Sequence, residues 1–150
     1  MTDRIAGIRK TLMSIVEQHC ECQLMLTIPG IGVINATAIY SAIGDGSQFK
    51  NARESAVWLG LTSKQCQIGN TFSSSGITKR GDRYLRKQLV HGARALLCRS
   101  RDKTDKLSLW TNALVARRGY NKARVAFAAM FAPLCSCCCI KMKNITRNSL

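Results

Sequence analysis

Residues 82–99, DRYLRKQLVHGARALLCR, separate into an apolar face and a basic face when they are read with the period of an α-helix. Asp82 is a favourable N-cap residue, so this stretch predicts a helix that begins at Arg83 and ends near residue 99. The apolar face consists of Leu85, Leu89, Gly92, Ala93, Leu96 and Leu97. We expect this face to form part of a core, which makes the segment the centre of a helical fold.

The other face of this helix is basic and has almost no acidic neighbour. It carries Arg83, Lys87, His91 and Arg94, continues to Arg101, and follows Lys79-Arg80. A solvated surface is the simpler interpretation of such a stripe, but we interpret it as a surface that faces phosphates. The DNA-binding residues predicted here are Lys79, Arg80, Arg83, Arg86, Lys87 and Arg94.

The overall charge supports a polyanionic partner. The 150 residues include 23 Lys and Arg against 8 Asp and Glu, a formal charge of +15, and 46% of them are apolar. One globular domain that binds DNA, or alternatively RNA, is therefore expected. A membrane partner is not expected, because the uncharged run 125–140 is short and contains Pro133 and Ser136. No signal peptide opens the sequence, so we expect a cytoplasmic location.

Two further patterns complete an all-α prediction at the N-terminal end. Residues spaced three and four apart predict a coiled-coil-like helix. They are Ile5, Ile8, Leu12, Ile15, His19, Cys22 and Leu26. This helix is either a dimerising helix or, as we favour, the end of a longer helix. A helix-hairpin-helix follows at about 24–44, with Pro29, Gly30, Ile31 and Gly32 at its turn. Its glycines would let backbone N–H groups approach a DNA phosphate, and a turn between core helices is the alternative.

A small bundle of amphipathic helices makes up the rest of the prediction. One helix starts near Asn51 and ends at Gly60, a second contains Trp110, and a last one begins near Asn121. Between them, residues 67–82, QIGNTFSSSGITKRGD, are interpreted as a polar linker, because no alternating strand pattern extends for long. The predicted fold class is all-α.

The chemistry that these residues allow is limited. The eight carboxylates form no cluster suited to two-metal catalysis, and several are placed as helix caps. The eight cysteines contain no pair of CxxC knuckles, so no metal site is predicted. Ser73, Ser74 and Ser75 precede several basic residues, an arrangement that permits a serine nucleophile but is also typical of a loop.

Several motifs together resemble a known family. They are Ile28-Pro29-Gly30-Ile31-Gly32, Ile43-Gly44-Asp45, Gln48-Phe49-Lys50, Trp58-Leu59-Gly60-Leu61, the run GITKRGDRYLR at 76–86, and Arg118-Gly119-Tyr120-Asn121-Lys122-Ala123. From about Ile5 to about Ala128 the sequence resembles the C-terminal domain of the DEDD-type insertion-sequence transposases, the one-hundred-and-ten group of bridge-RNA-guided recombinases. The resemblance implies DNA strand exchange by a multimer with Mg²⁺ and a guide RNA, in the bacterial cytoplasm and associated with the nucleoid. It also implies a RuvC-like N-terminal domain that bears the acids, and a catalytic serine in the present domain.

Two departures from that family pattern qualify the implied activity. The family serine position corresponds to Ile68, which has no hydroxyl, and Ser73, Ser74 and Ser75 are weak substitutes. The segment 129–150 is Cys-rich where relatives continue an aliphatic helix, so we hypothesise a frameshift near Ala129, with a thiol cluster as the functional alternative.

These departures lead to one prediction and one alternative. We predict that the chain consists of the end of a coiled-coil helix at 1–23, a transposase C-terminal domain at 24–128 and an aberrant tail at 129–150. The chain is predicted to be the DNA-binding part of a truncated transposase, without cofactor and not catalytically competent alone. The alternative is a standalone nucleic-acid-binding protein, acting as a homo-oligomer or as an interfering partner of a full-length transposase.

Overall fold

The computed structural model describes the backbone of residues 2–148, and their side chains except those of Thr2, Phe72, Ser74 and 142–148. Within this part the elements are α1 (Thr2–Gln18), α2 (Cys20–Leu26), α3 (Val33–Ile43), α4 (Glu54–Trp58), β1 (Ser63–Ile68), β2 (Thr71–Ile77), α5 (Arg83–Arg99), α6 (Lys106–Arg118) and α7 (Tyr120–Asn148). The predicted helical fold class is confirmed, with one two-stranded sheet added to it. Residues 149–150 of the predicted tail lie outside the described residues.

Helix α5 follows the sequence prediction from its cap to its last turn. The Asp82 carboxylate accepts a hydrogen bond from the Leu85 N–H at 2.7 Å, which satisfies one of the free donors at the helix start. All six residues of the predicted apolar face are buried. This face packs mainly on α7, so the basic face is left toward solvent.

Helix α7 is the central element of the core. It packs against α2, α3, α4, α5 and α6, and Phe127 and Phe131 are among its fully buried side chains. The segment Tyr120–Lys141 is long and apolar enough to cross a membrane by length and composition alone. Its apolar residues serve a different purpose here, because they fill the space between the other helices.

The N-terminal apolar series is divided between two helices. Helix α1 ends at Gln18, His19 is extended (φ −122°, ψ 109°), and α2 begins at Cys20. The series therefore does not continue along one helix to residue 23, because the chain changes direction at His19. Ile5 and Ile8 are exposed, whereas Val16 and Cys22 enter the core. The His19 ring lies 4.6 Å from the ring of Tyr40 on α3, which holds the turn against the bundle.

The segment interpreted from sequence as a polar linker is largely an antiparallel hairpin. Strands β1 and β2 are joined by a two-residue turn at Gly69-Asn70, in which Gly69 has φ +57°. Every residue of β1 is exposed, whereas Ile77 at the end of β2 is half-buried against the core. Because β1 meets water on both faces, its sequence has no alternation of apolar and polar residues, and the periodicity that reveals most strands is missing.

Helices α3 and α5 meet through two glycines. The Gly30 backbone, just before α3, approaches the Gly92 backbone so closely that a Cβ built on Gly30 would lie 2.7 Å from the Gly92 carbonyl oxygen. A Cβ on Gly92 would in turn collide with the Gly30 carbonyl oxygen and lie 3.0 Å from Asn35 Nδ2. The Asn35 amide also donates to the Gln88 carbonyl at 3.3 Å, so this contact fixes the position of α3 on α5.

We predict that Gly92→Ala destabilises the protein by about 1–3 kcal/mol, because the new methyl group overpacks a backbone contact. Gly7→Ala is the matched control: Gly7 is also inside a helix, but a Cβ there meets nothing within 4 Å. That control should raise stability by up to about 1 kcal/mol through helix propensity alone. Urea unfolding followed by circular dichroism measures both variants. Equal stability of the two variants would show that the Gly30–Gly92 contact does not constrain the fold.

The cysteines of the C-terminal segment lie on α7 and belong to the core in part. Cys135 and Cys139 are buried one turn apart, whereas Cys137 and Cys138 are half-buried. Burial, with a smaller effect from Cys138, raises the pKa of the Cys135 thiol to about 12. Among the described residues no group of three or more His, Cys, Asp or Glu side chains could hold a metal ion. The two buried thiols therefore behave as small apolar side chains.

The raised pKa of Cys135 predicts a loss of stability at alkaline pH. The folded state keeps the thiol proton after the unfolded chain, with an ordinary pKa of 9.0, has released it. The stabilisation by Cys135 is therefore complete below about pH 9 and falls as pH rises toward 12, by at most about 1.4 kcal/mol per pH unit. The difference in unfolding free energy between wild type and Cys135→Ala should shrink between pH 8 and pH 10.5. A difference independent of pH would contradict a buried, protonated thiol.

Candidate nucleic-acid interface

A tight crossing of two chain segments fixes the start of the basic helix. The loop after β2 passes over the end of α4, where the Lys79 N–H donates to the Gly60 carbonyl at 3.0 Å and the Thr78 N–H donates to the Thr62 carbonyl at 2.9 Å. A Cβ on Gly60 would collide with the Arg80 backbone, and one on Gly81 would collide with the Trp58 carbonyl oxygen. Both positions therefore require glycine.

Lys79 adopts a left-handed backbone conformation in this loop. Its φ of +57° makes it the sole non-glycine residue with positive φ in the described chain. Such a conformation costs about 1–3 kcal/mol and persists where the surrounding structure enforces it. Here the crossing with Gly60 enforces it, which places Lys79 beside the first turn of α5.

Four of the predicted DNA-binding residues line one open cleft with a volume of about 430 Å³. Its lining consists of Ile77, Lys79, Arg83, Arg86, Lys87, Val90, His91 and Arg124. Arg80 and Arg94 are exposed but lie outside this lining. The structure thus brings Lys79, Arg83, Arg86 and Lys87 together from a loop and two turns of α5. No acidic side chain lines the cleft among the described residues.

Arg86 differs from its neighbours because part of its guanidinium is used inside the fold. Its Nη1 donates to the Leu59 carbonyl at 2.9 Å, and the side chain is half-buried. This bond joins α5 to the end of α4 across the crossing described above. Arg83 and Lys87, in contrast, are exposed and have no carboxylate partner in the described part of the chain. They are the more available cations.

Arg124 is a member of the cleft that the sequence did not reveal. It lies on α7, far along the chain from α5, and its Nε atom is buried without a hydrogen-bond partner. Only the packing of α5 on α7 brings it beside Arg83 and Lys87. No local sequence signal marks a contact of this kind, because it depends on the arrangement of the two helices.

The predicted helix-hairpin-helix turn lies next to the cleft. Pro29 and Gly32 are exposed, but Ile31 is buried in the core and Gly30 is occupied by its contact with Gly92. Any approach of a phosphate to this turn would therefore use backbone near Gly32. A second cavity, of about 540 Å³, extends from Gly32 to His91, which also lines the basic cleft. The two predicted DNA-binding regions are thus neighbours on one surface.

The remaining predicted site residues lie on the hairpin. Ile68 stands at the end of β1 with 82% of its surface exposed. Ser73 and Ser75 are exposed on β2, where Ser73 lies opposite Cys66, and the Ser74 side chain lies outside the described residues. Among the described side chains no serine lines the basic cleft, so the structure does not bring Ser73 or Ser75 to these arginines.

Residues 22–108, which include the turn, the crossing and most of the cleft, match the family model described as Transposase IS116/IS110/IS902 family. The chain belongs to this transposase family. The resemblance found in the sequence motifs is thereby confirmed.

Curated relatives support the same assignment over most of the chain. The transposase for insertion sequence element IS1111A from Coxiella burnetii (strain RSA 493 / Nine Mile phase I) is 41% identical over 88% of this chain and 36% of its own length. A probable family 20 transposase from Pseudomonas aeruginosa is 40% identical over 83% of this chain and 37% of its own length. The transposase for insertion sequence element IS1328 from Yersinia enterocolitica is 32% identical over 88% of this chain and 40% of its own length. The chain spans little more than a third of these relatives.

Four of the eight carboxylates of this IS110-group chain accept hydrogen bonds from residues close to them in the sequence. Asp82 caps α5, and the Asp105 carboxylate caps α6 by accepting from the Ser108 N–H at 3.3 Å and the Ser108 hydroxyl at 2.7 Å. These hydrogen bonds lower the pKa of Asp105. Glu54 accepts from the Lys50 N–H at 3.0 Å, and Asp45 accepts from Ser47. The predicted use of acids as helix caps is confirmed at Asp82 and Asp105.

We predict that Arg86→Gln lowers the stability of this transposase chain by about 1.5–3 kcal/mol, because the Leu59 carbonyl loses a charged donor. Arg83→Gln removes the same charge from the same helix but no internal hydrogen bond, and its effect should stay within about 0.5 kcal/mol. Urea titrations of the two variants measure the difference. If both variants are as stable as the wild type, the Arg86–Leu59 bond does not hold α5 to α4.

Proposed function

We propose that this chain is a DNA-binding segment of an IS110-group transposase, and that it grips the phosphate backbone through the cleft between α5 and α7. The observation that carries the proposal is the convergence of Lys79, Arg83, Lys87 and Arg124 on one open cleft, which no acidic side chain of the described residues lines. A cluster of unpaired cations with the formal charge of +15 favours a polyanion over a small ligand.

The contacts available in this cleft are of the kind that position DNA without reading its sequence. Arginine and lysine side chains bind phosphate oxygens irrespective of the neighbouring base. The backbone near Gly32, at the start of α3, lies on the adjacent surface and could contact a further phosphate. We therefore expect affinity that depends strongly on salt and weakly on sequence. RNA carries the same phosphates and is the competing ligand.

The hairpin favours a non-catalytic role for the chain taken by itself. The position that corresponds to the family serine holds Ile68, whose aliphatic side chain cannot attack phosphorus. The described carboxylates form no group that could hold a metal ion, and two-metal chemistry requires such a group. Binding without cleavage would suit a chain that acts alone or that interferes with a full-length relative. Mg²⁺, a guide RNA and an oligomeric or full-length partner remain predictions from the family.

The binding proposal is tested by fluorescence anisotropy with duplex DNA over a range of salt concentrations. The triple variant Lys79→Gln, Arg83→Gln, Lys87→Gln should weaken binding and reduce the slope of log affinity against log salt by about two to three, roughly 0.9 for each phosphate that is no longer neutralised. The control variant Arg4→Gln, Lys10→Gln, Arg53→Gln removes the same charge away from the cleft and should change the slope less. Absence of binding at low salt, or equal losses of affinity in both variants, would refute a phosphate grip at α5. Parallel titrations with duplex RNA show which nucleic acid is preferred.

A second arm tests the absence of catalysis. The chain should leave supercoiled plasmid uncut in Mg²⁺ under conditions where it binds DNA, and Ile68→Ser should not change this. Any cleavage by the wild type would contradict the proposal. In that event Ser73→Ala, Ser74→Ala and Ser75→Ala would identify whether a neighbouring serine has replaced the missing nucleophile, because one of them would then abolish the activity.

A further inference from the structure

The basic cleft contains one group whose hydrogen bonding is incomplete within the fold. The Nε atom of Arg124 is covered by protein but has no acceptor, and no other hydrogen bond of this side chain is present among the described residues. Buried donors without a partner are uncommon in native structures. Because Arg124 lines the open cleft and its guanidinium has no acceptor among the described residues, its Nη groups remain for a ligand that enters the cleft.

The surroundings of Arg124 specify the charge of that ligand. Lys79, Arg83, Lys87 and His91 line the same cleft, and Ile77 and Val90 add an apolar surface that weakens the screening of charge by water. Repulsion among the cations disfavours the empty cleft, and an anion with several acceptor oxygens would relieve it. A guanidinium binds phosphate through two parallel N–H···O bonds, a geometry that an ammonium group cannot provide.

From these observations we infer that the cleft is a discrete phosphate-binding site, in which Arg124 supplies the forked donor and Lys79, Arg83 and Lys87 supply the surrounding charge. The inference rests on the proposed function, in that the phosphate is one that a nucleic-acid backbone presents. It deepens that function by making Arg124 on α7 the residue that fixes one phosphate in the cleft. A single backbone phosphate would be held between α5 and α7, and the path of the strand would be fixed at that point.

Nuclear magnetic resonance with inorganic phosphate as the probe tests the site directly. Phosphate should shift the resonances of Lys79, Arg83, Lys87 and Arg124 in the full chain, and duplex DNA should displace it. Arg124→Gln should abolish these shifts. Lys122→Gln is the matched control, because Lys122 is exposed on the same helix two residues away, on a different face and outside the cleft lining, so the shifts should persist.

Measurements of DNA affinity test the role of the Arg124 guanidinium. Arg124→Gln should lower the affinity for duplex DNA by about tenfold and the salt slope by about one, as expected when one charged contact is removed. Arg124→Lys should restore most of the slope but only part of the affinity, because it returns the charge without the fork. Amide spectra of each variant show that the fold is retained. Lys122→Gln should leave the affinity within about twofold.

Different results would reject the site and the proposed function. If wild type binds DNA but Arg124→Gln and Lys122→Gln behave alike, or phosphate shifts map outside the cleft, the phosphate site is wrong and DNA binding by another surface stands. If phosphate shifts appear at Arg124 but the wild type binds no duplex DNA or RNA at low salt, the site binds free phosphate and the nucleic-acid function is wrong.

Discussion

The crossing of residues 58–60 by residues 79–81 is the contact on which the rest of the molecule depends. At Gly60 and Gly81 the two backbones touch with no room for a side chain. The crossing ends the hairpin, holds Lys79 in a left-handed conformation and positions Asp82 to cap α5. Arg86 then returns from α5 to the Leu59 carbonyl and closes the connection. Because α5 packs on α7, the position of the loop at residues 79–81 determines how the cations of α5 lie relative to Arg124.

Glycine contacts fix the fold at two places, and at neither is glycine used mainly for flexibility. At the α3–α5 contact, Gly30 and Gly92 let two backbones approach closely. The helix-hairpin-helix interpretation assigns Gly30 to phosphate binding, whereas the structure places it against Gly92. Gly32 remains exposed with space around it. The turn thus combines a packing glycine with one at the surface, which explains why a Pro-Gly-x-Gly pattern alone does not distinguish a core turn from a phosphate contact.

Local physics made a large part of the fold predictable. The cap and the two faces of α5 depend on residues within a few positions of each other, and both are observed. The hairpin was not predictable in this way, since β1 is exposed on both faces and has no apolar alternation. Arg124 was missed for a different reason. Its role depends on the distance between two helices whose packing is set by many residues, so the basic stripe on α5 was recognised but its counterpart on α7 was not.

The distribution of charge connects stability to partner binding. Four of the acids form hydrogen bonds elsewhere, at the caps of α5 and α6 and in the turns at Glu54 and Asp45, and no acidic side chain of the described residues lines the cleft. These carboxylates therefore stabilise helix ends and turns, while Arg83, Lys87 and Arg124 have no counterion among the described residues. Repulsion among these cations favours separation of α5 from α7, while the buried contacts of Leu89, Phe127 and Phe131 oppose it. A bound polyanion would remove the repulsion without changing the core. Binding and folding are then linked by mass action, so nucleic acid should stabilise this chain most at low salt, where the repulsion is strongest.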